Sequence, residues 1–303
     1  MRVKNFFVKM LLFILVLVLL DWALGSGLRF FYFRQSQGKL YNLTCVLEKQ
    51  TAEILILGSS RAMHQYNPEI MTDSLGLSCY NAGNDGQSIL YHNALLDVIL
   101  DRFTPSMIVL DVNPDELVRK ASSYDLLTAL NPYVKDHPVL WNTLQLRSPF
   151  EKAKHLSKIY PFNSLLARIA VGNMHVTTKD VSANGFTPQY GQWEQPIQTI
   201  DYPTDSVNFD KNKIEAMNQL IQKCKEKNII LYMVLSPMYE QQLNHSSSIR
   251  YITRLCEANN ISFFSYQNDK RFKANELFRD PSHLNAIGAD IFTSDIASLL
   301  LKQ

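Results

Sequence analysis

EILILGSSRAMHQYNPEI, residues 53–70, holds an apolar run that stops at Gly58 and is followed at once by Ser59, Ser60 and Arg61. Isoleucine and leucine packed this densely over a few residues read as a buried strand, and the glycine marks where it hands over to a turn. Four further runs have the same character: LSCYNAG (77–83), SMIVLDVNP (106–114), IILYMVLSP (229–237) and ISFFSY (261–266). Between them, residues 88–102, 211–227, 246–259 and 285–302 carry apolar side chains three and four apart, as amphipathic helices do. Strands alternating with such helices predict a parallel sheet of about five strands covered on both faces.

The remainder of the chain is organised around that pattern. Its 303 residues are 46% hydrophobic and 19% charged, enough for one sizeable core or at most two. The formal charge of +2, spread without a long basic block, gives nucleic acid no support. Cys45, Cys79, Cys224 and Cys256 lie far apart without a C-x-x-C pair, which is neither a zinc pattern nor a small disulfide scaffold, and leaves one or two disulfides open. At the N-terminus, MRVKNFFVK carries three cations, and MLLFILVLVLL (10–20) is apolar without a break. Residues 1–28 read as an export segment, either a signal peptide cut near Ala23 and Gly25 or, in the favoured reading, an uncleaved membrane anchor with the positive end inside and the body outside. Residues 29–50 read as an aromatic and polar connector, and residues 118–210 as an insertion that either shapes the ligand site or caps the fold.

In a doubly wound sheet, ligands sit outside the carboxyl ends of the strands, and the unusual residues gather there. Ser59 and Ser60 follow the first strand, Asn81, Gly83 and Gly86 the second, Asn113 the third, and Ser236 and Pro237 the fourth. FRDPSHLNAIG (278–288) places Asp280 three residues before His283, ahead of the last helix. A serine hydroxyl becomes a nucleophile when a base removes its proton and a third group orients that base. Asp280 and His283 qualify if a helix starting near Ser282 or His283 presents both to one cleft; otherwise Asp280 or Ser282 caps that helix. Acyl transfer also needs donors where an oxyanion develops. The backbone N–H groups of Ser60 and Gly86 and the side-chain amide of Asn113 are the candidates.

The order G-x-S, N-x-G-x-x-G, a strand-ending Asn and a C-terminal D-x-x-H resembles the SGNH (GDSL-type) hydrolase superfamily over residues 53–86, 108–115 and 229–303. That resemblance implies a flavodoxin-like three-layer α/β/α sandwich, spanning residues 29–303 with the insertion, and hydrolysis or transfer of acyl esters without metal or cofactor. It assigns Ser60, Asp280 and His283 to catalysis and Ser60, Gly86 and Asn113 to the oxyanion site. Ser59 stands where the family has an acidic residue, so it is kept as the alternative nucleophile. The G-S-S form with an N-terminal anchor looks like the membrane-anchored branch that includes alginate O-acetylation and teichoic-acid D-alanyl-transfer proteins. Such a resemblance implies an extracytoplasmic protein with an acylated glycan or polymer as substrate and a membrane-bound O-acyltransferase as partner.

Arg61 and Arg279 flank the proposed nucleophile and acid, and either could bind an anionic polymer or form a salt bridge. Trp193, with Tyr190 and Phe186, could stack on sugar or pack the insertion. His64, His92, His137, His155, His175 and His245 show no ligand spacing and read as structural or surface residues. Two rival functions remain: a catalytically silent domain that binds glycan or scaffolds an acyltransferase, and a phosphate binder using the GSSRA turn.

Overall fold

The computed structural model describes residues 2–174, 184–202 and 209–302. All five apolar runs are strands of one sheet: β1 Ile54–Leu57, β2 Cys79–Asn81, β3 Met107–Asp111, β4 Ile230–Leu235 and β5 Ser262–Ser265. Their spatial order is β2-β1-β3-β4-β5 and every pairing is parallel. This is the flavodoxin-like order, in which the chain reverses its winding between the first and third strands and leaves a crevice at their carboxyl ends.

The pleat explains why Ile54–Leu57 and the run from Met107 to Leu110 are apolar at every position. Ile54 and Ile56 pair with Met107 and Val109, and all four join the core cluster that holds Phe292 and Ile296 of the last helix. Their alternates Leu55, Leu57, Ile108 and Leu110 point to the other face and are equally buried. A sheet with both faces covered tolerates no polar alternation.

The predicted helices form at Ile89–Leu100, Lys211–Glu226, Ser247–Asn259 and Ala286–Leu300. Side chains of Asp210, Ser246 and Asn285 accept backbone N–H groups at the starts of the last three. Asn260, at φ +56°, ends the third in the left-handed conformation.

Residues 29–50, expected as a connector, are largely helical: α1 spans Arg2–Phe33 and α2 spans Gly38–Glu48. The reason is burial on one side, since Tyr32, Leu43 and Leu47 are core residues rather than linker. All four cysteines are free and buried, which replaces the open disulfide expectation, and burial pushes the thiols of Cys79, Cys224 and Cys256 up to about 12.

The chain divides into two compact units. Cys45–Leu126 with Lys179–Gln303 carries the sheet. The other comprises Met1–Thr44 and Leu127–Thr178. Its core is aromatic: Tyr32 lies edge-on to Tyr133 and against Phe162, and the Tyr133 hydroxyl bonds those of Tyr32 (3.0 Å) and Thr44 (2.7 Å). Residues 3–20 of α1 are exposed without exception, and Val3–Phe33 is long and apolar enough, by length and composition, to cross a membrane.

Candidate active site

The turn after β1 is built on a glycine that no other residue could replace without strain. Gly58 adopts φ +149°, and a Cβ there would lie 2.9 Å from the backbone oxygen of Asp111. Ser59 then takes extended dihedrals, and α3, Ser60–Gln65, starts at Ser60. Five of its six residues are buried because Arg61 anchors it. The Arg61 guanidinium lies 3.2 Å from the Asp111 carboxylate and donates to the carbonyl of Val112, while the Tyr66 hydroxyl donates to Asp111 at 2.7 Å. The first turn of α3 is thereby fixed to the end of β3, with Ser60 half-buried at its start.

Asp280 and His283 reach the same place by a different local structure from the one expected. No helix begins at Ser282 or His283; Phe278–Asp280 and His283–Leu284 form a short antiparallel hairpin, and the last helix starts at Ala286. Asn285, not Asp280 or Ser282, is its cap, so the Asp280 carboxylate is free to accept N–H bonds from Ser282 (2.8 Å) and His283 (3.1 Å) within the turn. Both carboxylate oxygens lie 2.9 Å from His283 Nδ1, and His283 Nε2 lies 2.7 Å from Ser60 Oγ. A nitrogen facing a carboxylate carries the proton, so Nδ1–H donates to Asp280 and the Nε2 lone pair accepts the Ser60 O–H. Burial pushes the Asp280 pKa up, but the bonds from the His283 ring and the two backbone N–H groups outweigh it and hold the carboxyl below its ordinary 3.8.

Ser59 has a separate partner. Its hydroxyl donates to Asn113 Oδ1 at 3.3 Å, and Asn113 Nδ2 donates to Glu116 Oε2 at 3.0 Å. The amide is held at both ends, which leaves the second Nδ2 hydrogen with a fixed direction. Glu116 is buried and its other oxygen accepts the N–H of Ile89, the first residue of the helix after Gly86. Ser59, Ser60, Gly86 and Asn113 line one cleft of about 270 Å³ with Gln87, Ser88, Asp115, Glu116, Lys120, Ser122, Ser123, Leu126 and Lys213. Gly86 is in the left-handed region at φ +70°, with Leu126 packed where a side chain would stand.

The structure does not bring the other candidates to that cleft. Arg61 is buried in the ion pair beneath it, Arg279 is exposed, and neither lines it. Phe186 is a core residue and Trp193 packs partly buried against the same core, while Tyr190 is exposed, so the three do not share an open platform. The GSSRA turn leads into a helix of only six residues whose first hydroxyl is already bonded to His283.

His64, one turn after Ser60, was not singled out by spacing, yet its ring lies edge-on to that of His283 at 5.6 Å. Its Nδ1 donates to the Thr187 carbonyl at 2.6 Å and its Nε2 faces Asp85 at 3.2 Å. Glu116 lies three residues after Asn113 and His64 four after Ser60, and those offsets are the signal the sequence holds for both. His92 is a buried core residue, and His175 lies outside the described residues. Among the described residues, no group of three or more His, Cys, Asp and Glu side chains is arranged to hold a metal ion.

Neither a protein-family model nor a curated protein matches the sequence. Among solved structures, the chain is similar to a protein assigned to the lipolytic G-D-S-L family from Desulfitobacterium hafniense DCB-2, at 11% identity and TM-score 0.38. It is also similar to the acetyl xylan esterase AlAXEase, at 15% identity and TM-score 0.40. Each comparison covers 82% of this chain and 98% of the other.

Proposed function

We propose that this protein is an extracytoplasmic serine esterase or O-acyltransferase acting on acyl esters of a cell-envelope or exported polysaccharide. The observation that carries this reading is the hydrogen-bonded series Ser60 Oγ, His283 Nε2, His283 Nδ1 and Asp280. In the mechanism it supports, His283 Nε2 takes the Ser60 proton as Oγ attacks the acyl carbonyl carbon. The Ser60 and Gly86 N–H groups and the Asn113 amide stabilise the oxyanion. Protonated His283, held by Asp280, then returns the proton to the departing alcohol, leaving the acyl group on Ser60. Water or a sugar hydroxyl, deprotonated in turn by His283, takes the acyl group and restores the free serine. A silent binding domain has no use for an aligned base and acid, so the glycan-binding scaffold is the weaker reading.

The cleft also bears on the acyl group. Among the described residues, Leu126 is the one large apolar side chain lining it, against eleven polar or charged residues. A long acyl chain would leave its methylenes without apolar cover and would desolvate charges, whereas an acetyl group asks for neither.

The test uses the full chain in detergent, because α1 continues to Phe33 and a body beginning at residue 29 would cut through it. Treatment with a serine-directed phosphonate is expected to place an adduct on Ser60, located by peptide mass spectrometry, and His283→Ala is expected to abolish it. Acetyl esters should turn over about tenfold or more faster than octanoyl esters. Absence of an adduct in the folded wild-type chain, or an adduct on Ser60 that persists in His283→Ala, would sink the triad reading.

A further inference from the structure

In the unit formed by Met1–Thr44 and Leu127–Thr178, the apolar stretch of α1 and the folded part meet at one residue. Asp21 follows the uninterrupted apolar run, and its carboxylate accepts the Ser157 hydroxyl at 2.6 Å and the N–H groups of Lys158 at 2.7 Å and Ile159 at 3.4 Å. One turn on, Gly25 lets the helix approach so closely that a Cβ would fall 2.4 Å from the Lys158 backbone. The 157–159 loop is therefore pinned to the first turn beyond the apolar run. Residues 3–20 span about 27 Å as a helix, close to the ~30 Å hydrocarbon core of a bilayer, with Lys4 at the opposite interface and the Lys9 ammonium reaching back to it along its side chain. With α1 inserted, an ionised carboxylate stays at the boundary, and the loop bound to it lies there too.

At that level a cavity of about 410 Å³ is lined by Trp22, Arg29, Lys135, Trp141, His155 and Lys158 among others. Tryptophan favours the headgroup zone of a membrane, and guanidinium and ammonium groups bind phosphate oxygens. Arg29 is oriented by Asp136 at 2.5 Å and the Pro132 carbonyl at 3.2 Å, while the Lys135 and Lys158 side chains are exposed. His155 contributes a neutral wall, since burial lowers its pKa. Beside the cavity, Leu156 is 84% exposed and Phe150 68% exposed, with Lys152 exposed between them. Large apolar side chains interleaved with cations are what a membrane-surface segment presents.

We propose that this cavity holds the headgroup of an anionic phospholipid, with Arg29, Lys135 and Lys158 on the phosphodiester and the acyl chains entering the bilayer beside Trp22 and Leu156. The site rests on α1 being an uncleaved anchor. A lipid is favoured over free phosphate by the aromatic walls and by the continuity of the cavity with the apolar helix.

Native mass spectrometry of the full chain in detergent tests it, with phosphatidylglycerol, phosphatidylcholine or glycerol 3-phosphate added. One phosphatidylglycerol should be retained about tenfold in preference to phosphatidylcholine, and glycerol 3-phosphate at equal concentration should not displace it. The double variant Lys135→Glu/Lys158→Glu should lose the preference. The milder Lys135→Gln/Lys158→Gln should reduce it at least about threefold, and Lys227→Glu in the other unit should retain it. Equal retention of both lipids, displacement by glycerol 3-phosphate, or a preference that survives both double variants overturns the site. The intact mass of protein taken from membranes separates the two readings. A chain shortened to near Ala23 or Gly25 overturns the anchor, whereas a chain retaining Met1 that shows no lipid preference overturns the site alone.

Discussion

Ser59 and Ser60 carry the same hydroxyl one residue apart, and their surroundings divide the work between them. Ser60 meets a base that is itself oriented, His283 Nε2 at 2.7 Å, whereas Ser59 is buried and its hydroxyl donates to the amide oxygen of Asn113 at 3.3 Å. Under the proposed mechanism, Ser59 is a positioning residue: its O–H holds Asn113 Oδ1 so that the opposite end of the amide faces the oxyanion. Ser59→Ala is therefore expected to retain phosphonate labelling at Ser60 while lowering kcat about tenfold with KM little changed, since a donor is loosened rather than lost. Steady-state kinetics on an acetyl ester, with the adduct mapped in parallel, reads both. Loss of all labelling in Ser59→Ala with full labelling in Ser60→Ala would reverse the assignment.

At the scale of elements, two short pieces decide whether the site exists. The first is α3, whose six residues make too little helix to stand alone. It is held by Arg61, buried with Asp111 and Tyr66 at the end of β3. Arg61→Met keeps the bulk but strands the Asp111 carboxylate, whose side chain is 0% exposed. The expected loss is about 3–5 kcal/mol of stability, measured by denaturant unfolding; a change within about 0.5 kcal/mol, the range of ordinary surface substitutions, would mean the pair does not anchor the helix. The second piece is the hairpin Phe278–Asp280 and His283–Leu284. A D-P-S-H sequence before a helix suggests a capping turn. The hairpin prevails because Asn285 takes over the cap and Phe278 and Leu284, paired across it, are fully buried.

For the whole molecule, the clearest titration is that of a residue outside the site. His92 lies in the helix Ile89–Leu100, is 2% exposed, and neither ring nitrogen has a hydrogen-bond partner among the described residues. Burial pushes its pKa down to about 3 from 6.5. The sign follows from which state binds the proton. Below pH 6.5 the unfolded chain takes it up and the folded chain does not, so stability falls by up to about 1.4 kcal/mol per pH unit until the folded value is reached. His92→Leu is expected to flatten the dependence of melting temperature on pH between pH 6 and pH 4 relative to wild type. Parallel melting curves for the two proteins over that range would exclude His92 as the cause.

The sequence by itself determined the sheet and put forward most residues of the candidate site. Short apolar runs with no polar alternation fit strands covered on both faces, and four helices with a three-to-four spacing supply the cover. Ser60, Gly86, Asn113, Asp280 and His283 could be selected because strand ends are local features that punctuate the text. The tertiary structure alone decided which of the selected residues meet. Ser60 and His283 are 223 residues apart and Arg61 and Ser60 only one, yet the distant pair share a hydrogen bond while the adjacent arginine turns away into a buried ion pair. A helix start fixes the direction of successive side chains at about 100° intervals. Which direction points to the crevice and which into the core depends on where β3 and the hairpin lie, and that is set by packing between segments whose separation in sequence carries no geometric information.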